Sequence, residues 1–388
     1  MKETKFKDWH NVTIGNLGST YNGLTGKKAS DFGHGIAKYV PFINVIYNPI
    51  IDVNSLCCVD VKPSEYQNAV IKGDLLFNTS SETPEEVAMC SYVDTDIQNL
   101  YLNSFCFGFR LNDSNVSGLF LSYLFRSEFG RSLMLELAQG STRYNLQKKK
   151  FLQAELHIPQ ILAEQERIAE ALSDVDALIK ELDALIEKKR MVLKATMQDL
   201  LTARRRLPGF SEPWQEDIID NVCSVTTGAS NSQDQVANGR FPFYIRSSSI
   251  VYSEKFLFDC EGVITIGDGQ IGKVFHYVNG KFDLHQRCYL MYNFKGIDAK
   301  FFYYIFSTFF YDRVISLSAK ATVDSVRRSM ITKMKIFVPT SLSEQQAIAE
   351  ILSDMDSEIA ELEKKKEKYT SIRQGMMQQL LTGKIRLI

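Results

Sequence analysis

The sequence predicts an α/β (α+β) chain that is an internal duplication. Two similar mixed α/β domains are each followed by a long helix, and the two helices pair as an antiparallel coiled coil about a pseudo-twofold axis. Three observations predict this. Residues 158–207 and 338–387 align without a gap at an offset of 180, with about 23 of 50 positions identical. That period is far too long for a solenoid, so a whole domain plus a helix is duplicated. Each segment carries apolar residues at heptad spacing. The stretches ahead of them also echo each other: "WHNVTIGNLGSTYNG" (9–23) with "WQEDIIDNVCSVTTG" (214–228), and "VPFINV" (40–45) with "FPFYIR" (241–246).

Residues 1–160 make the first domain. "GDLLFNTSS" (73–81) and "FCFGFRL" (105–111) read as strands, and "GLFLSYLFRSEFGRSLMLELA" (118–138) as one amphipathic helix. Residues 161–206 are the first long helix. Leu172, Ile179, Ile186, Leu193 and Leu200 recur every seven residues, with Ile168, Val175 and Leu182 at the complementary heptad position. Forty residues of helix span about 60 Å. An apolar seam of that length outruns its own domain and needs a partner, and the nearest is its twin; the alternative is that each helix packs on its own domain.

Residues 207–340 make the second domain, with strands in "EGVITIG" (261–267) and "RCYLMYNF" (287–294) and a helix in "DAKFFYYIFSTFFYDRVISLS" (298–318). Residues 341–388 are the second long helix. Pro339 and Ser343-Glu344 mark its start and Thr382-Gly383 its stop. Leu352, Ile359 and Leu380 form one row, and Ile348, Met355, Leu362, Tyr369 and Met376 the other. Lys189, Lys366 and Arg373 fall on seam positions. Basic stems can lie along a seam with their heads in water, and polar seam residues fix register at some cost in stability. An imperfect seam also leaves room for a further helix from another protein.

Composition narrows the function classes. The chain has 388 residues, enough for two or three domains, and a hydrophobic fraction of 45%, ordinary for a globular protein. "MKETKFKDWHNV" has no apolar core for a signal peptide, and "FFYYIFSTFFY" (301–311) is too short to span a bilayer. The expectation is a cytoplasmic protein with no membrane partner. Seven cysteines include no C-x-x-C pair, which fits reduced thiols better than a disulfide frame or a zinc site. A formal net charge of −1 lends no compositional support to nucleic-acid binding.

Catalytic constellations are missing. The sequence has no G-x-S-x-G, no H-E-x-x-H and no methyltransferase N-P-P-Y or D-P-P-Y motif. Asp283, His285 and Cys288 in "FDLHQRC" read as parts of one strand rather than a metal site. "IGDGQIGKVF" (266–275) matches G-x-G-x-x-G and nearly matches a P-loop, but Val274 stands where a P-loop needs Ser or Thr. Both motifs require a helix after the glycines. Here the flanks read as strands on both sides, with Asn279-Gly280 as a further turn signal, so the glycines predict a hairpin tip. A plain β-turn and a backbone approach to some phosphate remain the two readings of that tip.

Two basic clusters sit in equivalent places. "TRYNLQKKK" (142–150) and "TVDSVRR" (322–328) lie just before the long helices, with Thr142 aligned to Thr322 and Lys148 to Arg328. Basic residues beside hydroxyls suit phosphate contacts. One such cluster reads as solvated surface; two at matched positions put DNA contact level with that reading. The candidate DNA-contacting residues are Thr142, Arg143, Lys148 and Lys149 in the first domain. In the second they are Arg246, Gly269, Gln270, Lys273, Lys320, Thr322, Arg327 and Arg328. Lys273 suits a phosphate, and Gln270 has the donors and acceptor for an adenine edge. Two unlike domains about a pseudo-twofold axis predict a bipartite, asymmetric duplex target with an unread gap.

These features resemble the specificity subunit of a Type I restriction-modification enzyme over essentially the whole chain. The resemblance rests on "P..LAEQERIAEALSDVDALI" and "P..LSEQQAIAEILSDMDSEI", on "MQDLLT" and "MQQLLTGKIRL", and on the "W…NG" and "W…TG" domain starts. "GDLLFNTSSETPEEV" (73–87) and "GDGQIGKV" (267–274) resemble segments of that family's target recognition domains. The resemblance implies a non-catalytic chain with target recognition domains at 1–160 and 207–340, each reading half of a split site through the major groove. It implies two methyltransferase subunits using S-adenosylmethionine to methylate adenine, and two restriction subunits using ATP and Mg, with no cofactor in this chain. Tight DNA binding would then require the methyltransferase subunits. Two alternatives stay open from the sequence: a coiled-coil scaffold whose end domains bind proteins, and a specificity subunit serving a methyltransferase alone.

Overall fold

Heptad seams and strand alternation decide how the chain divides. In the computed structural model, which describes residues 8–318 and 325–387, the two seam segments are 39-residue helices, Leu162–Leu200 and Leu342–Leu380. One folded unit takes Met1–Leu182 with Lys365–Ile388, and the other takes Asp183–Lys364. Each unit therefore contains the first part of one long helix and the last part of the other.

In the first unit a four-stranded antiparallel sheet runs in the order Gly18–Asn22, Cys106–Leu111, Leu75–Asn78, Cys90–Tyr92. Its buried face is aromatic: Phe77 stacks on Phe107 at 5.2 Å, and Phe125 and Phe151 pack edge-on against Phe77. Ile168 and Leu172 of one long helix and Met377, Leu380 and Leu381 from the end of the other close the same core. Trp9–Thr13 pairs antiparallel with Glu155–Pro159, opposing Trp9 to Pro159. The 118–138 segment is two helices rather than one, Gly118–Arg126 and Glu128–Leu137. Ser127 is extended and serves both: its hydroxyl donates to Leu124 O (2.6 Å) and accepts from Gly130 N (3.2 Å). A Cβ on Gly130 would sit 2.1 Å from Leu124 O, so the second helix can pack this closely only with glycine there.

The second unit is built on a six-stranded sheet in the order Ser224–Thr227, Cys288–Tyr292, Phe258–Ile266, Phe275–Leu284, Phe241–Tyr244, Ile250–Ser253. The pairing of Phe241–Tyr244 with Phe275–Leu284 is parallel and the rest antiparallel. Ala299–Ser318 is one helix, and it buries Phe301, Phe302, Ile305, Phe306 and Phe310 with Leu200, Leu201, Ile348 and Leu352. Trp214 opposes Pro339 as Trp9 opposes Pro159. Asn279-Gly280 does not turn: both lie inside Phe275–Leu284, opposite Glu261 and Cys260, because the nine-residue partner strand keeps the ladder going.

The repeated "EQ" at each helix start has the same work in both units. Gln165, buried, accepts from Ser117 N (2.9 Å) and donates to Pro159 O (2.8 Å). Gln345 accepts from Asp298 N (2.7 Å) and donates to Pro339 O (2.9 Å). The buried Glu164 takes both arms of Arg386, and Glu344 both arms of Arg206, so each helix start is held by the tail that follows the other helix.

Two of the polar seam residues, Arg373 and Lys189, pair within their own units. In the first, Asp176 accepts from Arg373 and from the Tyr123 hydroxyl (2.9 Å). In the second, Lys189 meets Glu358 at 2.6 Å, and Tyr304 donates to Asp356 (2.6 Å). Both pairings run antiparallel, and such pairs fix register where apolar contacts alone allow sliding. Among the described residues no helix is long and apolar enough to cross a membrane, and all seven cysteines are free.

Candidate nucleic-acid interface

The Gly-rich segment of the second unit is a hairpin tip. It joins Phe258–Ile266 to Phe275–Leu284, two strands paired antiparallel from Thr265↔Phe275 onward. Gly269 and Gly272 take φ of +78° and +68°, a region costly for residues with a Cβ. Open space surrounds Gly269, whereas Gly272 lies against Tyr311. No helix follows the glycines, so the geometry that cradles a nucleotide phosphate is not built here.

Charge is concentrated at the base of that tip. The half-buried Asp268 accepts from Arg287 Nη1 at 2.7 Å and from Arg246 Nη1 at 3.2 and 3.3 Å. Burial alone would raise its carboxyl, but the two guanidiniums outweigh it and hold Asp268 below the usual carboxylate range. His285 is buried beside them, its Nδ1 accepting from Arg287 N (3.1 Å). Burial, then Arg246, push its pKa down and favour the neutral ring. Ser232, Ile245, Arg246, Asp268 and Gly269 line an open cleft of about 390 Å³. Asp283 is buried in the strand below and accepts from Ser230 Oγ (2.7 Å) and Leu284 N (2.9 Å).

The tip and the basic segment meet through backbone. Val326 N donates to Gly267 O (2.7 Å), and Asp268 bridges Ser325. In the first unit Leu146 N donates to Thr79 O (2.9 Å), and Ser80 pairs with Asn145. Asn145 and Leu146 are the repeat equivalents of Ser325 and Val326. Thr79-Ser80 therefore stands where Gly267-Asp268 stands, an equivalence that the two loop sequences hide. The first-unit loop is fixed differently: Asn78, fully buried, donates to Glu86 O (2.9 Å) and accepts from Met89 N (2.7 Å).

The candidate DNA-contacting residues divide by environment. Thr142, Arg143 and Lys149 are exposed, as are Arg246, Gly269, Gln270, Lys273, Arg327 and Arg328. Lys148 is turned partly inward, with its ammonium 5.1 Å from the Phe107 ring centre and donating to Asn22 Oδ1 (2.6 Å), and burial lowers its pKa. Lys273 lies over Tyr311 at 5.4 Å. Lys320 and Thr322 lie outside the described residues. The Val326–Gly267 hydrogen bond brings the segment carrying Arg327 and Arg328 against the hairpin that carries Gly269, Gln270 and Lys273, and Asp268 ties Arg246 to the same tip. Sequence reasoning missed Arg287 and Asp268. The available signal was Arg287 itself, a cation in "HQRC" between two strand patterns.

Comparison with known proteins agrees with this architecture. The family model for the Type I restriction modification DNA specificity domain matches twice, over residues 7–188 and 211–369. The chain is 24% identical to the putative type I restriction enzyme MjaX specificity subunit of Methanocaldococcus jannaschii, over 94% of this chain and 91% of that one. It is 26% identical to the MjaVIII specificity subunit of the same organism, over 68% and 70%. Among solved structures it resembles the type I restriction-modification S subunit from M. genitalium, with TM-score 0.70 and 17% identity over 98% of both chains. It also resembles a chain solved in work on assembly and conformational transition of the type I system, with TM-score 0.51 and 14% identity over 98% and 99%. Two matched specificity domains, each with its basic segment laid across a strand-end loop, place this chain in the Type I restriction-modification DNA specificity family, as a specificity subunit.

Proposed function

We propose that the chain reads a bipartite, asymmetric duplex DNA site, one half-site per unit, and carries the methyltransferase and restriction subunits that do the chemistry. The observation that carries this reading is the pair of equivalent strand-end loops, Thr79-Ser80 and Gly267-Asp268, each crossed by a basic segment but chemically unlike. Equivalent placement supports equivalent roles; unlike side chains support unlike half-sites. Exposed Arg143 and Lys149 in one unit, and Lys273, Arg327 and Arg328 in the other, would take phosphates and set register. Methyltransferase subunits would dock on apolar positions left open along the long helices: Leu185, Met191, Val192 and Ile351 in the second unit and Ile372 in the first. S-adenosylmethionine, ATP and Mg belong to those partners in this reading.

Affinity selection from a random duplex library tests it, using the chain co-expressed with a methyltransferase subunit from its own source. The expected result is two unlike half-sites at one fixed spacing. A complex that forms but enriches no sequence makes the chain a scaffold with protein-binding ends.

A further inference from the structure

The Arg246–Asp268–Arg287 cluster does more than supply positive charge. Each guanidinium gives Asp268 only its Nη1. Among the described residues, the Nε and Nη2 donors of both meet no protein acceptor, and both arginines are exposed. A guanidinium pinned at one terminal nitrogen has its plane set and its remaining edge presented as a fork. Asp268 is itself fixed: its backbone bridges Ser325, and the preceding Gly267 donates to Arg287 O (2.7 Å) and accepts from Val326 N (2.7 Å). Arg246 and Asp268 line a cleft with Gly269, whose missing side chain lets a ligand come close to the backbone.

We propose that Arg246 and Arg287 read guanine in the half-site of the second unit, and that Asp268 is the positioning residue that aims both. This rests on the DNA-reading function above. The ligand chemistry follows from the carboxylate between the arginines. A phosphate would have to approach an anion, whereas the O6 and N7 edge of guanine is neutral, accepts twice and fits the fork. The first unit has Ser80 where Asp268 stands. It has no such buttress at that point, so the guanine preference belongs to one half-site.

The test repeats the duplex selection with the full chain in its methyltransferase complex, comparing the unaltered protein with Arg287→Lys, Arg246→Lys and Asp268→Asn. Lysine keeps the charge but loses the fork, and asparagine keeps the shape but loses the ion pairs. The expected result is two guanines in one half-site of the unaltered protein's target, with preference falling about five- to a hundredfold at one of them in each lysine variant and at both in Asp268→Asn. The other half-site stays unchanged, which shows that the variant is folded and bound. A uniform loss across all positions would make the cluster a phosphate clamp or a structural brace and overturn the proposal. So would a half-site without guanine, or one indifferent to all three changes. If the unaltered complex itself enriches nothing, the DNA-reading function fails first and this proposal with it.

Discussion

At the scale of the residue, Asp268 shows how one carboxylate organises a surface. Arg246, Arg287 and the buried His285 all face it. Its folded pKa is depressed, so its ion pairs contribute stability above the ordinary carboxylate value of about 3.9. That contribution is lost as pH falls through the lower folded value. Asp268→Asn removes it at every pH. The urea midpoint of the unaltered protein should therefore exceed that of D268N at neutral pH, and the two should converge as pH drops below about 4. A gap that stays constant through that window would mean that shape, not charge, is what Asp268 supplies. The two tip glycines offer a second residue-scale contrast. Alanine at Gly269 adds only backbone strain, since no atom lies within 4 Å. At Gly272 the new Cβ also meets Tyr311 Cα at 3.1 Å. Gly272→Ala should cost about 1–2 kcal/mol from the left-handed backbone plus a packing term, and Gly269→Ala the backbone part alone. Equal unfolding free energies for the two would show that Tyr311 gives way freely.

At the scale of the element, long periodic patterns were legible and short ones were not. The two 39-residue helices follow from heptads and from the repeat, because over many turns only one helical register puts every seam residue on one face. The Gly-rich tip was legible because strand patterns on both sides exclude a cofactor loop. Local punctuation failed where tertiary pairing overrode it. Asn279-Gly280 stays in a ladder that its partner strand sustains, and Ser127 splits a run whose apolar spacing looked continuous. Arg287 stands out as a cation between two strand patterns, but its role depends on Asp268, 19 residues away, and no local pattern reports which cation a carboxylate will meet. The buried hydroxyl of Tyr123 is a similar case, paired with Asp176 across 53 residues. Tyr123→Phe removes that hydrogen bond and should lower stability by about 1 kcal/mol in a denaturant titration. Asp176 keeps Arg373, which limits the loss.

At the scale of the whole molecule, each unit is completed by chain that is distant in sequence, and this has a measurable consequence. The first unit's core includes Met377, Leu380 and Leu381 together with Ile168 and Leu172, and Arg386 holds Glu164 and Asp8. The second unit draws its share of the second long helix from the part up to Lys364. Truncation after Lys364 therefore strips only the first unit. Burial of three such apolar side chains contributes roughly 5–9 kcal/mol at about 1.5–3 each, comparable to the 5–15 kcal/mol that typically holds a domain folded. The shortened chain should lose hydrogen-exchange protection in Leu75–Asn78 and Cys106–Leu111, the sheet that carries Phe77 and Phe107. Phe258–Ile266 and Cys288–Tyr292 in the second unit should keep theirs, because Ile348, Ala349 and Leu352 still close that core. Loss of protection in both sheets would show that the units fold as one cooperative block.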